Sequence, residues 1–149
     1  MQSKGTYEGR TLHALDYRLE TWPTARWPNF SHAELACSET GACQMDPQTM
    51  DRLQLLRAQY GHPLVITSGY RSPEHSIEAA KESPGTHAMG RAIDIKCGGV
   101  DAYQILTEAL VVGFTGIGVK QKKGEGRFLH LDDLGPREHT VPRPALWSY

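Results

Sequence analysis

Four residues in this chain have the types and spacing to do chemistry: His87, Asp94, His130 and Asp132. The first two sit in Gly85-Thr-His-Ala-Met-Gly-Arg-Ala-Ile-Asp94-Ile, the last two in Arg127-Phe-Leu-His130-Leu-Asp132. Two imidazoles and one carboxylate, with no thiolate, form the ligand set of a catalytic zinc rather than a structural one. Such a set leaves one coordination position for water, and hydrolysis is the chemistry it implies. The expectation is one zinc ion held by His87, Asp94 and His130. The same donors also suit manganese, iron or cobalt.

Hydrolysis needs a group that takes the water's proton and hands it to the leaving amine. Alternation along a strand places His130 and Asp132 on one face, with Leu129 and Leu131 on the other. Asp132 is therefore the first choice as base, and Asp133, on the opposite face, ranks below it. Asp132 can equally orient a ligand imidazole, a partner that metal sites commonly need. His139 is a reserve base if the tail folds back. Arg71 offers a planar positive fork to a substrate carboxylate or a developing oxyanion; its bland alternative is a structural ion pair. His13, His32 and His62 read as ordinary surface or core histidines, and His75 as a brace for the turn after Arg71. Tyr70, Phe128, Trp147 and Tyr149 read as core or cleft wall.

These groups must be positioned by a small α+β domain, an antiparallel sheet backed by helices. Asp46 suits an N-cap and Pro47 the first helical position. Met50, Leu53, Leu56 and Tyr60 then share one face, and Gly61 ends the helix. Leu64–Thr67 reads as a short strand, followed by a turn that brings out Arg71. Residues 74–85 hold a short helix or a loop. Ala92–Lys96 alternates, turning Asp94 away from Ile93 and Ile95. Gly90 lets the chain fold back between His87 and Asp94. Asp101–Val112 is an amphipathic helix with Ile105, Leu106, Ala109 and Leu110 inward and Gly113 as its stop. Phe114–Val119 and Arg127–Asp132 read as a hairpin, and the tail 142–149 shows no period. Residues 1–28 form an irregular N-terminal arm, where Trp22-Pro23 and Trp27-Pro28 interrupt regular structure. Residues 29–149 form the one domain.

The 149 residues allow one core. With 39% hydrophobic and 22% charged residues the chain is globular. A net charge of −1 gives no nucleic-acid footprint. Lys120–Lys123, flanked by glycines, reads as a solvated hairpin tip. No apolar run is long enough to span a bilayer, so no membrane insertion is expected. The first ten residues lack the apolar stretch of a signal peptide, so synthesis in the cytoplasm is expected. Three cysteines argue against a complete disulfide framework; Cys37 and Cys43 are near enough in sequence to pair, and Cys97 reads as a packing residue.

Ser68-Gly-Tyr-Arg71-Ser72, His87 to Asp94 with Gly90 and Ala92 between, and Phe128-Leu-His130-Leu-Asp132 resemble the zinc D-alanyl-D-alanine carboxypeptidase family. That family includes related peptidoglycan peptidases and bacteriophage endolysins. Phe30-Ser-His-Ala-Glu-Leu-Ala-Cys37 and Trp147-Ser-Tyr149 extend the resemblance over residues 29–149. It implies a fold of the hedgehog/DD-peptidase type, zinc on His87, Asp94 and His130, and substrate binding by Arg71. It also implies cleavage of a peptide bond beside a D-amino acid in the cell wall, with a peptidoglycan peptide as partner; the expected oligomeric state is a monomer. Two positions depart from the family. Gly85 stands where many members have serine, and Arg127 and Phe128 stand where relatives often carry a catalytic histidine or glutamate. Carboxypeptidase and endopeptidase readings both remain open, as does the setting: a phage lytic enzyme or a virion-associated peptidase acting at the wall. The alternative from another class is a zinc-fold binding or virion structural module without turnover.

Overall fold

The computed structural model describes residues 3–7, 10–13 and 15–149. The reading of the His13 side chain, and that of the first ten residues as a whole, falls outside what is described. Strands β1 (Ser3–Tyr7) and β2 (Arg10–His13) pair antiparallel as a sheet of their own, in a tract expected to be irregular. Next come α1 (His32–Leu35), α2 (Pro47–Tyr60), β3 (Val65–Ser68), α3 (Ser76–Ala79), β4 (Ala92–Lys96) and α4 (Gly99–Val112). Strands β5 (Gly116–Lys120), β6 (Phe128–Asp132) and β7 (Ala145–Ser148) complete the chain.

The main sheet has five strands in the order β3-β4-β6-β5-β7. The α+β class is as expected, and the first four strands of that order run antiparallel. The sheet as a whole is mixed, because β7 joins β5 in parallel. Strand β6 returns the chain to the end where β5 begins, and residues 133–144 lead from Asp132 to Ala145 there, both beside Gly116. The tail hid this strand from its pattern: four residues between two prolines and the chain end are too few to show a period.

Local chemistry explains the helices. Asp46 caps α2 by accepting from the Thr49 amide at 3.0 Å, Pro47 follows, and Gly61 closes it at φ 80°. Gly113, at φ 96°, closes α4. The buried stripe of α4 is Ala102, Ile105, Ala109 and Val112. Leu110, expected inward, is 56% exposed, because it lies about 100° around the helix from Ala109. His75 caps α3 through its ring, which accepts from the Ile77 amide at 3.1 Å.

Helices α2 and α4 pack on one sheet face. There Met50, Leu53 and Leu56 meet Ile93, Ile95, Leu129 and Leu131, all essentially sealed from solvent. Each such aliphatic side chain contributes about 1.5–3 kcal/mol on burial. Tyr17 and Trp27 join the same cluster. The Trp27 indole donates to Asp51 at 2.8 Å and the Trp22 indole to the Phe30 carbonyl at 2.9 Å. Cys37 and Cys43 are both buried in the core. Among the described residues, no helix is long and apolar enough to cross a membrane.

Candidate metal centre

With the apolar residues of β4 and β6 turned to the helices, the intervening residues must face the other way. The register makes them neighbours. Asp94 lies opposite His130, and the same row runs from Ser68 on β3 through Gly118 on β5 to Trp147 on β7. Gly90, at φ 71°, reverses the chain between His87 and β4. A Cβ there would fall onto the Gln44 carbonyl, so only glycine fits. The loop then brings His87 beside Asp94.

His87, Asp94 and His130 offer one ligand atom each within 4.8 Å of one another. His87 Nε2 is 3.2 Å and His130 Nδ1 3.1 Å from Asp94 Oδ1. A tetrahedral zinc with ligands at about 2.0–2.1 Å sets its donor atoms about 3.3 Å apart, so the spacing fits. The far side of each imidazole is also held. His87 Nδ1 donates to the Gly69 carbonyl at 2.8 Å, and His130 Nε2 donates to Asp132 Oδ2 at 2.9 Å. Those two bonds select the tautomers that leave Nε2 of His87 and Nδ1 of His130 facing Asp94. Donor types, spacing and tautomers all fit a zinc ion.

The electrostatics follow from burial and pairing. Burial pushes the Asp94 carboxyl up, but the contact and charge of the neighbouring His130 and His87 rings outweigh it and hold it well below the ordinary value. Burial likewise opposes charge on Asp132. The bonds from Arg143 and His130 win, and its carboxyl falls to about 2. Burial depresses His130, yet Asp132 and Asp94 raise it above the ordinary histidine value.

The triad opens into a cleft of about 370 Å³ whose lining includes Arg71, Lys81, His139, Arg143, Trp147 and Tyr149. Arg71 reaches Glu78 at 3.5 Å and Asp94 at 3.8 Å, and its amide donates to the His87 carbonyl. It is thus both an ion-pair partner and a cleft residue. The tail does fold back: His139 lines the cleft, and its Nδ1 accepts from the Val141 amide at 3.2 Å. The neutral ring therefore presents Nε2–H. Burial and Arg143 hold its pKa below the ordinary value. Asp132 is brought beside His130, but it is fully buried and both its oxygens are taken by Arg143 at 2.8 Å. A carboxylate so held is a poor proton acceptor, which weighs against the expected base role. Asp133 lies in a separate buried network with Thr49, Arg52 and Arg91.

Arg143, Gly116 and Gly118 escaped the sequence reading, while Trp147 lines the cleft as a core or cleft-wall residue would. Arg143 clamps Asp132 and lies 5.3 Å from the Trp147 ring, whose centroid is 5.2 Å from that of His130. The site face of β5 is glycine twice, at Gly116 and Gly118. A Cβ at Gly116 would strike the Asp132 carboxylate, and one at Gly118 the Trp147 indole at 2.7 Å. The two glycines make room for the support behind His130. Their signal was the Gly-Ile-Gly alternation, visible once β5 is paired with β6.

Residues 28–132 match the family model described as Peptidase M15. No curated protein and no solved structure matches the chain. With the greater part of its length so matched, and with a His-Asp-His group suited to a metal, the chain belongs to the peptidase M15 family, whose members are zinc-dependent.

Proposed function

We propose that this protein is a zinc peptidase that hydrolyses a peptide bond beside a D-amino acid in bacterial peptidoglycan, with His87, Asp94 and His130 as the zinc ligands. The observation that carries it is the pair of tautomer-fixed imidazoles converging on Asp94 Oδ1 at the base of an open cleft. Zinc bound there supplies Lewis-acid polarisation and a water acidic enough to react at neutral pH. The chain's own residues do the rest. Asp132, clamped by Arg143, fixes His130 in its ligand tautomer. Arg71 and His139 Nε2–H face the cleft as donors to a substrate carboxylate or a developing oxyanion. We place the activity at the bacterial cell wall, in a phage lytic enzyme of the kind the family includes.

A second reading, a zinc-fold binding module without turnover, is favoured by one observation. Among the described residues that line the cleft, Asp94 is the one carboxylate. Digestion of purified peptidoglycan by the zinc-loaded protein, with fragment masses and a chelated control, separates the two. Chelator-sensitive release of peptide fragments supports the peptidase. Full zinc occupancy without release supports the binding module.

A further inference from the structure

Strand β3 is an edge of the main sheet. Its neighbour on one side is β4. On the other, α1 seals only one end: the Tyr70 amide donates to the Leu35 carbonyl, and a Cβ at Gly69 would meet that carbonyl at 2.7 Å. Among the described residues, no backbone group of Val65–Ser68 bonds to anything beyond β4. The pairing with β4 is irregular between Ile66 and Ser68, and the peptide groups that β4 does not take are left to offer donors and acceptors outward.

A pocket of about 400 Å³ lies against that open edge. Its walls are Ile66–Gly69 on one side and Ala33, Glu34, Ala36 and Ser38 on the other. It meets the metal cleft at Arg71, which lines both. Gly69, whose carbonyl orients His87, belongs to its wall. A free edge is a template for one more strand, and an extended peptide satisfies it with main-chain bonds that do not depend on side chains.

We propose that the open edge of β3 and the pocket beside α1 seat one arm of a peptide in extended form, so that the chain passes Arg71 into the metal cleft and an internal bond is cut. This rests on the peptidase reading and selects endopeptidase over carboxypeptidase. A substrate ending at the cut bond's next residue needs only the metal cleft. One that continues needs a second trough joined to the first, and the structure has one.

Ala33 is exposed on α1 and lines the pocket, so Ala33→Trp fills the trough without entering the core. The assay compares stem pentapeptide with cross-linked stem-peptide dimer, with zinc content measured in each protein. The expected result is internal cleavage of the dimer by the wild type. In Ala33→Trp, kcat/KM on the dimer should fall at least tenfold, through KM, at unchanged zinc. Equal cleavage by the variant overturns the groove and leaves the peptidase reading standing, as does a wild type that only trims the terminal residue. Zinc-loaded wild type that cleaves neither substrate overturns the peptidase reading itself, and the groove with it. Amide exchange of Ile66–Ser68 gives a readout free of catalysis and of the variant's folding. Slowing on addition of dimer to the chelated wild type supports the strand pairing, and unchanged exchange overturns it.

Discussion

His130 Nε2 lies 2.9 Å from Asp132 Oδ2, and the proton donated there leaves Nδ1 free, 3.1 Å from Asp94 Oδ1. One hydrogen bond thus decides which nitrogen of His130 meets a metal. Arg143 makes it robust by holding both Asp132 oxygens at 2.8 Å. The carboxylate is pinned on three sides and sits beneath the cleft rather than in it.

Asp132→Asn tests this assignment. Zinc affinity should fall by about 10–100-fold, the usual cost of losing a partner behind a ligand. Saturating zinc should recover most of the turnover. Unchanged zinc affinity with abolished kcat would instead make Asp132 the base.

The raised pKa of His130 sets a pH dependence. In the zinc-free chain this group contributes stability that is fully present below its unfolded value and is lost as pH rises through its higher folded value. Zinc needs the same nitrogen deprotonated, so its binding strengthens as pH rises. The gain in Tm on adding zinc should therefore shrink as pH falls from about 8 to about 6. Thermal scans at fixed free zinc measure it, and a gain that grows on acidification would refute it.

Arg71 and His139 are assigned to the substrate side of the cleft. Arg71→Ala and His139→Ala should each keep stoichiometric zinc. Each should lose kcat/KM on peptidoglycan peptides by about 10²–10³-fold, the range for removing one donor to a developing charge. Retained efficiency in either variant would reduce that residue to packing.

Arg91 tests what holds the loop carrying His139. It is fully buried and binds Asp133 at 2.8 Å and Glu138 at 2.8 Å, while Glu138 also accepts from the Gly135 amide at 2.7 Å. Arg91→Met leaves two buried carboxylates short of a partner. The expected loss is about 3–5 kcal/mol in urea unfolding. A loss below about 1 kcal/mol would show that Arg52 and Thr49 alone satisfy Asp133.

How much of this was legible follows from where each signal lies. That Asp94 and His130 face one side was readable because alternation in β4 and β6 is local. The approach of His87 was readable from the Gly90 turn, and helices α2 and α4 from Asp46, Pro47, Gly61 and Gly113. The support behind them was not. Trp147 sits on a parallel strand whose partner lies about thirty residues upstream, Arg143 lies in the irregular segment just before it, and four residues carry no period. The state of Asp132 depends on Arg143, so its role could not be read from its own strand. The β1–β2 pair likewise formed in a tract without a clear alternation.

The proposed function requires one zinc held by two imidazoles and one carboxylate. Zinc X-ray absorption of the stoichiometrically loaded protein tests that directly. It should show one zinc per chain with nitrogen and oxygen scatterers at about 2.0–2.1 Å, and should lose the imidazole signature of one ligand in His130→Ala. Sulfur scattering at about 2.3 Å, or a wild-type spectrum preserved in His130→Ala, would contradict it.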